Sequence, residues 1–155
     1  MGHRAGAGVR HHAASAAAGG PLRIVALVER GRRGQRVLAE VLELAQAGAV
    51  EVTLIAVVAH ANGRGCAVSP APLNAAIDQA ATDDLDAVAL RLPLSIPVVD
   101  RRVMPEGGDP SPAEWVSASH FDVVLMAGRR RWRASRVLGV DSGLPELDGG
   151  EVRSV

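Results

Sequence analysis

Lysine and tyrosine are absent from this chain, cysteine occurs once, and the aromatic residues are two tryptophans and one phenylalanine. With no lysine, all 17 basic side chains are arginines, and 17 acidic residues balance them to a formal net charge of zero. No field of the whole molecule therefore draws it to nucleic acid or to a membrane surface, and any electrostatic effect has to be local. Alanine is abundant as well, a pattern of coding bias that removes any argument from arginine having been chosen over lysine. A lone Cys66 excludes an intramolecular disulfide and suits a reducing, cytoplasmic compartment. No apolar run approaches the ~20 residues of a transmembrane helix, so a soluble protein without a membrane partner is expected.

What is there is a globular composition, 48% hydrophobic and 22% charged over 155 residues, with room for one domain and a sizeable core. Residues 1–20, rich in alanine and glycine, hold little that a core could bury and no compact apolar region of a signal peptide. They predict a disordered tail ahead of a domain over 21–155. The tail histidines do not read as a metal site: His11 and His12 are adjacent, His3 is remote, no acidic or thiol partner is near, and structural sites need about four ligands.

Order begins at Leu22. The run 22–28 (LRIVALV) has the near-continuous apolar character of a strand buried on both faces, and Glu29-Arg30-Gly31 supplies a polar turn. The period then becomes helical: Val37, Leu38, Val41, Leu42 and Ala45 recur at three- and four-residue spacing with Leu44 beside them, and Gly48 stands where a left-handed cap would end the helix. A second buried strand is predicted over 50–58, and strand, helix and strand so close together make a βαβ unit with parallel strands. Pro70 and Pro72 open a second helix whose apolar positions are Leu73, Ile77, Ala81, Leu85, Val88 and Leu92. Its aspartates, Asp78, Asp83, Asp84 and Asp86, read as a solvated face and lack the glycine-containing loop of a calcium site. Pro93 breaks that helix. A third strand over 96–104 takes an edge position because Pro97 has no backbone donor. Ser111-Pro112-Ala113-Glu114 is a capping box opening a short helix that buries Trp115, Val116 and Ala118, and a fourth strand follows over 121–127.

The alternation β-α-β-α-β-α-β predicts a doubly wound α/β sandwich of Rossmann-like type, its first and fourth strands adjacent and a crevice between their carboxyl ends. Two loops meet there: Glu29-Arg30-Gly31, and a loop after Gly128 with Arg129, Arg130, Arg131, Arg133 and Arg136. Trp132 among those arginines is the pattern of a single-strand nucleic-acid contact, but one indole and zero net charge make nucleic acid a poor partner. His60 lies past the second strand without a nucleophile placed beside it, and Cys66, two residues from Arg64, reads as buried or inert rather than reactive. No acid, base and nucleophile converge, so an enzyme is the least supported class.

The segment RIVALVERGRRGQRVLAEVLELAQAGAVEVTLIAVV resembles the first βαβ unit of the universal stress protein family. GGDPSPAEWVSASHFDVVLMAGRRR resembles that family's later pattern, a Gly-Asp-Pro turn, a helix and an apolar strand ending in Gly-x-Arg. The likeness spans about Leu22 to Gly139 and is only generic between about His60 and Leu92. It implies an adenine nucleotide alpha-hydrolase-like fold and, in ATP-binding members, an acidic residue after the first strand, here Glu29, and an adenine-contacting valine, here Val57. Such members also carry a Gly-x2-Gly-x9-Gly-Ser/Thr phosphate loop. This chain keeps the first glycine as Gly128 but has Arg131 at the second and Asp141 at the third, with Ser142 next, unless a shorter loop uses Gly139.

Glycine in such a loop permits positive φ and close backbone approach to phosphate, which Arg131 does not, although Arg129 and Arg131 can hold phosphate through their own donors. Two functions follow from the resemblance: a small stress-response module binding ATP or another adenine nucleotide weakly through an Arg-rich loop, or a divergent interaction module that has lost the nucleotide. Family members follow the loop with a helix and a fifth strand that carries a homodimer contact. Gly139 to Val155 is too short for both, although Glu151 to Val155 can add a short edge strand.

Overall fold

A computed structural model describes residues 19–64, 69–126 and 151–154. Strands and helices alternate in the order β1 (Leu22–Leu27), α1 (Arg32–Ala47), β2 (Val50–Val58), α2 (Ala71–Ala89), β3 (Val98–Pro105), α3 (Pro112–Ala118), β4 (Val123–Met126) and β5 (Glu151–Ser154). The strands form one sheet in the order β3-β2-β1-β4-β5, every neighbouring pair parallel. The four strands expected from periodicity are therefore present, with β1 beside β4 through the pairs Ile24↔Val123, Val25↔Val124 and Ala26↔Leu125. The short terminal strand is there as well, on the outer edge of β4.

Alternation along the central strands divides the core. Ile24, Ala26, Val52, Leu54 and Ala56 face Val37 and Val41 of α1 and Ala81 and Leu85 of α2. The residues between them, Val25, Leu27 and Ile55, join Val124 and Met126 on the opposite face beneath Val116 of α3. Helices thus lie on both faces, which makes the sheet doubly wound and explains why β1, β2 and β4 read as continuous apolar runs rather than alternating ones. Full burial of such a side chain contributes about 1.5–3 kcal/mol, so these two layers supply most of the favourable term.

Reciprocal bonds pin β4 to β1 at its start. Arg23 N donates to Asp122 Oδ2 at 2.8 Å, and Asp122 N donates to Arg23 O at 2.8 Å. At the other edge, Arg101 and Arg102 are neighbours in β3 and so point to opposite faces. Arg101 pairs with Asp86 of α2 at 2.9 Å, and Arg102 lies 4.9 Å over the Trp115 ring of α3 while bonding Asp100. The β2–β3 register shifts between Val52 and Thr53, and Val99 on the displaced stretch is exposed. A shifted, charged edge preceded by Pro97 resists pairing with another chain.

The capping box is present in full. Ser111 Oγ accepts from Glu114 N at 3.3 Å, and Ser111 N donates to Glu114 Oε2 at 2.8 Å. Bonds from the Ser111 side chain and then its backbone hold the Glu114 carboxyl below its usual range.

Several expectations need correction. Gly48 is not left-handed: its φ of 173° is extended, because only Ala49 separates it from β2, and Leu22 N bonds Ala49 O at 2.9 Å. Leu42 and Leu73 are exposed, each on the rim of its helix's apolar stripe. Ala118 is exposed too, since α3 buries Pro112 and Val116 and lets Ala113 and Trp115 pack beside them. The second helix ends at Ala89, ahead of Pro93. Its aspartates are not merely solvated: Asp78 bonds His60, Asp84 bonds Arg30, Asp86 bonds Arg101, and Asp83 accepts from Gln79.

Candidate functional site: a cleft between the first two helices

The site starts with a glycine inside a helix. Gly31, at φ 79°, caps α1 without offering a side-chain acceptor. One turn on, Gly34 packs directly against the carbonyl of Glu29, where a Cβ would collide with the Glu29 oxygen. The chain therefore folds back tightly from β1 into α1, and Val28 N stays bonded to Ile55 O of β2 at 2.8 Å. No acidic residue lies in the first turn of α1, while Arg30, Arg32 and Arg36 surround it. The unsatisfied N–H groups at this end and those arginines carry charge of the same sign, which favours an anion nearby.

Facing this turn, α2 presents Ile77, Ala80, Ala81, Asp84, Ala87 and Val88, one stripe at helical spacing, and Arg91 follows just past its end. Its alanines and Gly34 leave room where larger side chains would meet. The result is a cleft of about 690 Å³, walled by α1 and α2, with Leu38, Ala56 and Val58 forming its apolar base and Glu29, Arg30, Gln35, Asp84 and Arg91 its polar groups. Sites for small ligands commonly occupy about 300–1,000 Å³ with this mixture of apolar lining and few polar groups. Arg30 crosses the mouth to Asp84, Nε to Oδ2 at 2.5 Å, with side chains 75% and 39% exposed.

The loop leaving β2 is fixed from α2. Asn74 accepts from Ala61 N at 2.8 Å and donates to Ala61 O at 3.2 Å. One turn further along α2, Asp78 bonds His60 Nε2 at 2.7 Å. His60 is thereby a loop anchor, and no group of three or more His, Cys, Asp or Glu that could hold a metal occurs among the described residues. Nor is any helix among them long and apolar enough to cross a membrane.

Glu29 and Val57 come together on this cleft. Val57 lies between Ala56 and Val58, which belong to the α1–α2 layer, and packs with the α3 layer, so it meets the cleft along its main chain. Gly128, Arg129, Arg131 and Gly139 lie outside the described residues, as do Cys66 and Trp132. The cleft sits over β1 and β2, displaced toward β2 from the β1–β4 gap where the crevice was expected. Sequence reasoning missed Gly34, Asn74 and Asp84. Only Gly34 carried a signal, as a glycine where the helical period had already begun.

No family model and no curated protein matches the sequence. A solved structure does: the crystal structure of a protein from the universal stress protein family from Burkholderia pseudomallei, with a TM-score of 0.61 at 17% sequence identity, covering 86% of this chain and 94% of that one. The chain has that protein's α/β fold.

Proposed function

We propose that residues 21–155 form a universal-stress-type regulatory module that binds an adenine nucleotide weakly and acts by binding rather than turnover. The observation that carries this reading is the convergence of Glu29 and Val57, from separate strands' ends, on one cleft of ligand size. An adenine ring suits the apolar base at Ala56 and Val58, and the Glu29 carboxylate can accept from ribose hydroxyls. The positive end of α1 and Arg30 stand ready for phosphate. The chain leaves β4 beside the end of β1, since Leu125 pairs with Ala26, and we assign the phosphates to Gly128, Arg129, Arg131 and Gly139, which follow β4 in sequence. A cytoplasmic homodimer through the β5 edge belongs to the same proposal.

Arginine side chains that must be ordered on binding cost about 0.5–1.5 kcal/mol each, and exposed charge contacts are screened within about 10 Å at 0.1 M salt. ATP should therefore bind weakly and more weakly still at high salt. Calorimetric titration at two salt concentrations tests this, with Glu29→Ala, Arg129→Ala, Arg131→Ala and the cleft-filling Ala80→Leu all expected to reduce binding. Tight, salt-insensitive binding that survives these substitutions refutes it. Absence of binding at either salt favours the second reading, an interaction module without nucleotide, for which Leu90 and Leu94, exposed around the end of α2, are the pertinent surface.

A further inference from the structure

We propose that Asp84 is a built-in competitor of the ligand's phosphates for Arg30, so that Arg30 is released more readily to a polyphosphate than to a monophosphate. The inference rests on the nucleotide reading above and adds to it a rule about ligand charge.

Asp84 occupies an unusual place. Along the α2 stripe that walls the cleft it is flanked by Ala81 on one turn and Val88 on the next, and it is the sole acidic residue that α2 contributes to the lining. Its partner comes from the opposite wall: Arg30 reaches from the β1–α1 turn to meet it through Nε. The bond therefore spans the mouth. A guanidinium that has five N–H donors and binds a carboxylate can equally bind a phosphate. Asp84 thus occupies a donor of Arg30 that an anionic ligand would otherwise take.

The pair is also easily exchanged. Both side chains are well exposed, at 75% and 39%, and exposed pairs of this kind are individually weak. One carboxylate charge is nevertheless enough to compete with a ligand of similar charge. Attraction to Arg30 grows with the charge the ligand brings, so a triphosphate prevails over Asp84 more readily than a monophosphate, while an uncharged nucleoside does not contend at all. No step requires a shift of the sheet or of either helix, only a rotation of the Arg30 side chain.

The test is calorimetric titration of the full chain with adenosine, AMP, ATP and inorganic triphosphate, using wild type, Asp84→Asn, Asp84→Ser, Arg30→Gln and the double variant Arg30→Gln/Asp84→Asn. Asp84→Asn should tighten ATP about two- to fivefold, tighten AMP by no more than that, and leave adenosine unchanged, because the ligand that displaces Asp84 in the wild type recovers the whole cost of breaking the pair. Arg30→Gln should weaken both nucleotides and abolish the effect of Asp84→Asn in the double variant. Asp84→Ser should reproduce Asp84→Asn, which separates lost charge from altered shape. Thermal melts should confirm that all variants remain folded.

If wild type binds ATP but neither Asp84 substitution alters AMP or ATP affinity, the competitor is refuted and the nucleotide reading stands. If wild type binds nothing while the Asp84 variants bind ATP, the competitor is upheld and the nucleotide reading of the natural chain fails. Absence of binding to every variant overturns both.

Discussion

Gly34 and the carbonyl oxygen of Glu29 are in such close apposition that a methyl group on the glycine would come well inside 3.0 Å of that oxygen. Replacing glycine by alanine within a helix ordinarily gains about 1 kcal/mol. Here the obstacle is main chain, which cannot swing aside as a side-chain tip can. Gly34→Ala should lose about 1–3 kcal/mol, the usual range for overpacking, and should displace Glu29 from the cleft. Urea unfolding measures the change, and a gain in stability would contradict the geometry.

Gly48 provides the contrast. Its φ of 173° is open to any residue, and a Cβ there has nothing within 4 Å. Gly48→Ala should therefore stabilise by about 0.4–1 kcal/mol by restricting the unfolded chain. The same unfolding experiment reads both glycines, with opposite signs.

Asn74 satisfies both backbone groups of Ala61. Asn74→Ala leaves a half-buried donor and acceptor without that partner, at a cost of about 1–3 kcal/mol. Asn74→Asp keeps the acceptor but turns an oxygen toward the Ala61 carbonyl, so it should not rescue. Hydrogen exchange at the Ala61 amide should accelerate in both variants.

The capping box should make stability depend on acid. Because Ser111 holds the Glu114 carboxyl below its ordinary pKa, the folded state binds that proton less readily than the unfolded chain does. The associated stabilisation is present above the unfolded pKa and disappears as pH falls through the folded one. Ser111→Ala should return Glu114 toward its ordinary value and move acid unfolding to higher pH. Carboxyl titration followed by NMR reports the first effect, and circular dichroism across the acid range the second.

How much of this was legible in the sequence follows from the range of each interaction. The strands were legible because a strand covered on both faces must be apolar throughout, as 50–58 is, and the capping box because Ser111 and Glu114 are three residues apart. The cleft was half legible. Glu29 follows directly from the end of β1, but Asp84 became a site residue only when α2 was laid against the β1–α1 turn, a pairing across 54 residues that no local period reports. The aspartates of α2 looked like a solvated face for the same reason. Their partners, His60, Arg30 and Arg101, come from three different segments.

The bond between Arg23 and Asp122 joins residues 99 positions apart, whereas β1 reaches β2 through a single helix. In equilibrium terms the longer closure costs only about 1 kcal/mol more. In time it matters further, because distant strand pairings form late. The β1–β2–β3 half should assemble first and β4 should dock last, an order that pulse-labelled exchange would reveal as later protection of the Val123–Met126 amides. Until then the β4-facing edge of β1 stays unpaired on a nascent sheet, open to the wrong strand from another molecule. Within the strand LRIVAL the one charged residue is Arg23. Its charge discourages such a union, so Arg23 guards the same edge that it later helps Asp122 to close.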